Sequence, residues 1–389
     1  MSPPPANQRP SDDPATDATN TATTANGVNA ETADPTEARV DVAVVGAGIG
    51  GLAVAAELTE QGESVTVLES RDRVGGRLRT HHTSEGPLDL GATWFWPNEP
   101  RINALIERLG LSTHAQYVEG AALFQNGDGG RQRFDGNPLG VASGRFGEGA
   151  ASLTRALADR LPDGVLTLGA PVSAVIGDGP SGPLRVVYDT GAVVADRVVL
   201  ALPPALAVHR IRFAPALPPE LAQLAAATPV WMASVAKVVV RYERPFWRSA
   251  GLAGAAISHR GPMREIHDMS GPDGRPAALF GFAPLSADGP VPQQDPILAQ
   301  LVELFGPEAA DPVEVLIAPW RDEPDTAPPG AADLNAYQTY GHRLYQQPTW
   351  DGRLLWASTE TGHDAPGHIE GALAAAERTV AHLTRGVVS

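Results

Sequence analysis

The chain has 389 residues, 43% of them hydrophobic, enough for one large domain or two ordinary ones with a sizeable core. It holds no cysteine, which excludes disulfides, thiolate metal sites, cysteine nucleophiles and any cysteine-linked prosthetic group. A net charge of −16 argues against nucleic acid, whose phosphates need basic patches, and no apolar run of about eighteen residues is present to span a membrane.

Residues 1–38 are acidic and almost free of large apolar side chains, so burial cannot offset their ordering entropy and a disordered tail is expected. The segment lacks the apolar centre of a signal peptide, and its acidity argues against a mitochondrial presequence; the reading is cytoplasmic. From Arg39 the character changes. RVDVAVV suits a buried parallel strand, and GAGIGG follows it with Gly46, Gly48 and Gly51 in G-x-G-x-x-G spacing. LAVAAELTEQG then reads as a helix ending at Gly62, and SVTVLE as a second strand closing on Glu69. Such glycines permit a tight turn and close approach to a pyrophosphate. The helix N-terminus offers free N–H groups, and the acid can accept from ribose hydroxyls. The order points to a dinucleotide and leaves NAD and FAD open.

Directly after Glu69, the segment SRDRVGGRLRT crowds Arg71, Arg73, Arg77 and Arg79 around Gly75 and Gly76. Together with Glu69, it resembles the flavin-binding signature of the monoamine oxidase family. The resemblance implies FAD, with Gly76 letting the backbone pass close to the cofactor, Arg77 on its diphosphate and Arg71 at its adenosine end. DLGATWFWP is similar to that family's segment beside the isoalloxazine, which implies contacts from Gly91, Ala92, Thr93 and Trp94, with Ala92 replacing the usual second glycine.

Next come RINALIERLGL, an amphipathic helix, and AALFQNGDGGRQRF, a hairpin with a Gly-Asp-Gly turn. VLTLGAPVSAVIGDG, LRVVYDTG and AVVADRVVLALPP alternate like adjacent antiparallel strands. They resemble the family's meander, which implies that the backbone of Val172 meets the adenine. VAKVVVRYERPFW reads as a strand resembling one of the family's substrate domain. On it stands Lys237, the only lysine in a chain that otherwise uses arginine. Lysine is a compact point donor whose pKa responds to burial, whereas arginine is a planar fork. The resemblance makes Lys237 catalytic, holding a water against flavin N5. Trp320 matches the family's tryptophan near the flavin, although from the residues alone it reads as a core aromatic. At the C-terminal end, LLWASTETGHDAPGHIEGALAAAERTV resembles the last flavin motif. It implies Glu360 near the ribityl-diphosphate and Gly367 and Ile369 at the flavin pyrimidine. Two positions depart: Ser358 replaces a usual glycine, and His368 stands where many members carry an aromatic residue facing the flavin.

The expected fold class is α/β, a Rossmann-type FAD-binding domain (39–97, 146–212 and 350–389) interleaved with a smaller α+β substrate domain (98–145 and 213–349). The resemblance implies a short member of that family with a reduced substrate domain. The resemblance implies a flavin-dependent amine oxidase that passes a hydride from a C–N carbon to flavin N5. The imine is then hydrolysed and O2 is reduced to hydrogen peroxide. FAD is expected to be non-covalent, since the usual thioether link needs cysteine. No metal site is expected, because His81 and His82 should point apart. Two rivals stay open: a flavin dehydrogenase or desaturase with another electron acceptor, and a non-catalytic FAD-binding scaffold. A homodimer that covers the cavity stays open too.

Overall fold

The computed structural model describes residues 37–179 and 182–385. Most of the tail, residues 1–36, lies outside this range. Glu37 and Ala38, assigned to the tail from sequence, belong to the folded body. Glu37 accepts three hydrogen bonds from Arg185, and the Ala38 carbonyl accepts from Val194 N.

Two sheets organise the chain. The first begins with β1 (Arg39–Val45), which lies parallel between β2 (Val65–Leu68) and the strand Gly191–Leu200. Beyond Gly191–Leu200 come Leu184–Tyr188, Val172–Gly177 and the edge strand Arg212–Ala214, and Leu354–Trp356 pairs with the second half of Gly191–Leu200. β1 is hydrophobic without alternation because both faces are covered: Val42 and Val44 face one core, Ala43 and Val45 the other. Helix α1 (Ile49–Glu60) follows β1. It starts three residues earlier than the expected LAVAAELTEQG, because Ile49, Gly50 and Gly51 form its first turn. Gly50 and Gly51 must be glycine: a Cβ on them would lie 2.3 Å from the Ala357 carbonyl oxygen and 2.0 Å from that of Gly46.

The second sheet runs Glu314–Pro319, Val235–Tyr242, Ala277–Pro284, Glu265–Asp268, Leu252–Ser258, Ala121–Gln125, Arg131–Arg133. The last two strands are the expected hairpin. The helix Gln294–Phe305 covers one face with Ile297, Leu301 and Leu304.

Three expectations need correction. The stretch VLTL is not continuous with the meander: Leu166–Thr167 pairs with β2 at the sheet edge, and the chain turns at Gly169 (φ 64°) before Val172–Gly177. Helix α2 (Pro100–Leu109), assigned to the substrate domain, buries Ile102 and Leu105 in the core around α1. Its N-terminus has no side-chain cap of its own. Glu370 of the C-terminal helix Ile369–Arg385 supplies one, accepting from Arg101 N (3.2 Å) and Ile102 N (2.9 Å). Residues 213–227 also join the first sheet, as Leu217, Leu221 and Ala225 pack under it. An amphipathic helix declares an apolar face, and that face alone does not choose between two sheets.

Candidate functional site

A cavity of about 520 Å³ lies between the sheets. One end is built by the turn after β1. Gly46 adopts φ 104°, and Gly48, at the N-terminus of α1, has no side chain capping the helix. A Cβ on Gly48 would meet nothing within 4 Å, so this wall stands open to the cavity. The second glycine pair packs on the first: Gly75 N donates to the Ala47 carbonyl at 2.9 Å, and Gly48 and Gly75 form a parallel bridge. That contact explains why two sets of glycines recur twenty-seven residues apart.

Glu69 closes β2, nearly buried, and its carboxylate accepts from Ala47 N (2.7 Å) and Arg71 N (3.1 Å). Arg71 donates to the Asp325 carbonyl (3.1 Å) and Thr326 Oγ1 (2.7 Å). Val172, Gly76 and Arg77 also line the wall. Gly51 does not; it serves the packing of α1 against the Gly46 turn. Glu360, expected beside the cofactor, is fully buried and off the wall. Arg77 grips it through two hydrogen bonds, and Trp231 N donates to it at 3.3 Å. A guanidinium otherwise disfavoured by burial is thereby held charged.

The other end is aromatic. Gly91, Ala92, Thr93 and Trp94 line it, joined by Trp320, whose indole N–H donates to the Leu90 carbonyl at 3.0 Å. Trp320 is therefore both a buried core residue and part of the wall. Lys237 sits one layer behind. It has no solvent exposure and does not line the cavity. Its Nζ donates to the Gly91 carbonyl at 2.8 Å and to Thr93 Oγ1, and lies 4.6 Å from the Phe280 ring centre. Burial lowers its pKa to about 7, against the pull of Asp89 and with a push from Arg145. Burial also raises the pKa of Asp89, itself held by Thr80 Oγ1 (2.7 Å) and Ala150 N (2.9 Å).

Gly367, His368 and Ile369 complete the wall. His368 stacks on Trp96 with ring centres 4.9 Å apart, and its Nδ1 lies 2.8 Å from Glu99 Oε1. The sequence reading missed Trp96, Trp231, Glu265, Phe282 and Thr326, all on the wall. Trp96 carried a signal: in the extended stretch TWFW, Trp94 and Trp96 share a face while Phe95 turns into the core around α1. His81 and His82 do point apart, toward Glu314 and Arg155 respectively.

Residues 49–143 and 139–384 match the sequence model of the family described as flavin containing amine oxidoreductase. The chain belongs to the flavin-containing amine oxidoreductases. Among relatives in this family, a Mycobacterium tuberculosis protein with the provisional name flavin-containing monoamine oxidase AofH is 29% identical over 88% of this chain and 96% of its own. Putrescine oxidase of Kocuria rosea is 27% identical over 86% of this chain and 92% of its own. A solved putrescine oxidase bound to putrescine shares the fold with a TM-score of 0.78 at 24% identity, covering 89% of this chain and 99% of that one. The cyclohexylamine oxidase of Brevibacterium oxydans IH-35A does so at 0.77 and 23%, covering 90% of this chain and all of that one.

Proposed function

We propose that this flavin-containing amine oxidoreductase binds FAD without a covalent link and oxidises an amine at its C–N carbon, with O2 as electron acceptor and a cytoplasmic setting. The observation that carries the reading is the continuity of one cavity from the open N-terminus of α1 to a wall of Trp94, Trp96 and Trp320.

The residues fit the cofactor. At Gly48 a Cβ would project into open space where backbone N–H groups and the positive end of the helix dipole suit a diphosphate. Glu69 is fixed by two backbone N–H groups and keeps lone pairs for ribose hydroxyls. Arg71, Gly76, Arg77 and Val172 would hold the nucleotide end. Gly91 to Trp94, Trp320 and Gly367 to Ile369 would hold the ring end, with Glu360 supporting from behind through Arg77. When bound, FAD supplies the hydride acceptor and passes its electrons to O2, giving hydrogen peroxide.

The protein's own share is orientation and dryness. The tryptophan wall excludes water from the C–H bond to be broken and leaves the product imine to hydrolyse once it departs. Lys237 fixes Gly91 and Thr93 in the wall, so we retain it in the redox step as a positioning group. The test is a panel of amines mixed anaerobically with the yellow protein. Bleaching of the visible absorbance, then peroxide on admitting air, is expected. Bleaching without peroxide would indicate another acceptor, and no bleaching by any amine would leave a binding scaffold. Acid precipitation should release the yellow cofactor into the supernatant.

A further inference from the structure

Alkyl ammonium groups have pKa values near that of lysine, roughly 10, so at pH 7 about one molecule in a thousand is neutral. The nitrogen lone pair must be free before the adjacent C–H bond can leave as hydride. Some group on the cavity wall has to take the proton. Lys237 cannot do so from behind Gly91 and Thr93.

Among the described residues the wall carries three carboxylates and one imidazole: Glu69, Glu265, Asp325 and His368. Glu69 accepts from Ala47 N and Arg71 N, Asp325 pairs with Arg210, and Glu265 pairs with His267 at 2.7 Å. His368 differs. Its Nδ1 is committed to Glu99 Oε1 at 2.8 Å, and its Nε2 has no partner among the described residues. Glu99 is itself fixed: its side chain is 6% exposed and its other oxygen accepts from Trp96 N at 3.0 Å. Trp96 stacks on the imidazole. Three contacts therefore set the ring's tautomer and orientation, with Nδ1–H donating to the carboxylate and Nε2 left as acceptor.

We infer that His368, held by Glu99, is the base that deprotonates the bound ammonium substrate. This rests on the amine-oxidising reading above. In the step, one N–H bond of the ammonium breaks and an Nε2–H bond forms. The electron pair of the broken bond stays on the amine nitrogen. The Glu99 carboxylate offsets the imidazolium charge, and the ring, 39% exposed, returns the proton to water. Neighbouring charges are already matched. Arg101 joins Asp364, Glu370 and Glu377, His363 pairs with Asp364, and Arg77 pairs with Glu360, so Glu99 is the charge that touches the ring.

The test follows flavin reduction at saturating amine, in the absence of oxygen, across pH. In the wild type the rate at pH 7 should stay close to its value at higher pH, because the base frees the amine nitrogen. His368→Phe keeps an aromatic ring over Trp96 and removes the base. It should run on the order of a hundredfold slower at pH 7 and approach the wild-type rate near pH 10, where the amine is neutral unaided. Glu99→Gln should fall between the two. A fluorinated amine already neutral at pH 7 should be slowed far less by His368→Phe than the ammonium substrate is. A variant slowed equally with both amines would show a packing role and overturn the inference, as would a His368→Phe profile that matches wild type. If no amine bleaches the wild type, the amine reading itself fails and the inference goes with it.

Discussion

Arg77 and Glu360, 283 residues apart, are joined by hydrogen bonds of 2.6 and 3.1 Å, with the carboxylate wholly withdrawn from solvent. The pair ties the segment after β2 to the segment before the C-terminal helix. Removing Arg77 strands Glu360 as an uncompensated buried charge, a loss of roughly 3–5 kcal/mol, whereas Arg77, 21% exposed on the cavity wall, is stranded less completely when Glu360 is removed. Arg77→Met and Glu360→Ala should each lower the urea midpoint accordingly, and a double-mutant cycle should show strong coupling. Losses below about 1 kcal/mol in both would mean the pair holds nothing together.

Two glycines of the first motif should respond oppositely to one methyl group. Gly51→Ala forces a Cβ to within 2.0 Å of the Gly46 carbonyl oxygen and should unfold or badly destabilise the protein. Gly48 has φ −72°, ordinary for any residue, and open space beyond it. Gly48→Ala should fold with normal stability and lose FAD affinity, measured by fluorescence titration of the cofactor-stripped protein. Normal FAD affinity in Gly48→Ala would remove the diphosphate from that turn.

Because Lys237 is the only lysine, ¹³C- or ¹⁵N-lysine labelling gives one side-chain resonance, and its titration midpoint should fall near 7. The sign for stability follows. The folded pKa is depressed from 10.5, so between about 7 and 10.5 the unfolded chain binds more protons and stability rises with pH. The slope from this one group reaches at most about 1.4 kcal/mol per pH unit. Below pH 7 both states are protonated and the penalty is present in full. Lys237→Met should flatten the slope, seen by comparing urea unfolding at pH 7 and pH 9.

Lys237→Met should also remain yellow, since the nucleotide contacts lie elsewhere, while losing on the order of a hundredfold in flavin reduction or reoxidation. Stopped-flow separates the two half-reactions, and the flavin reduction potential gives a readout that mere packing would not move. Lys237→Arg is the harsher change, because a fully buried site shaped for one ammonium must accept a planar fork. Wild-type rates and potential in Lys237→Met would leave the residue purely structural.

Local order was well legible. Strand, glycine turn, helix, strand and acid follow one another within about thirty residues, and each is written in its own stretch of sequence. That Lys237 was singular was legible too, because a chain committed to arginine had kept one lysine on an apolar strand; its place one layer behind the cavity wall was not. Contacts between distant segments were not. Sequence reading set Arg77 and Glu360 separately on the cofactor, and nothing local to either reveals that they meet. The same holds for the capping of α2 by Glu370, which moves that helix from one lobe to the other. His368 read as a missing aromatic; its tie to Glu99 spans 269 residues and needed the fold.

The approach of Gly50 to Ala357 sets an order of events during synthesis. Residues 48–50 emerge from the ribosome early, whereas Ala357, Thr359, His368 and Ala372 form the facing wall of the same cavity. A nascent chain that stops before residue 354 has its glycine turn and its acid but lacks one side of the cavity. A cavity with both walls therefore exists only once the C-terminal helix has been made and docked on α1.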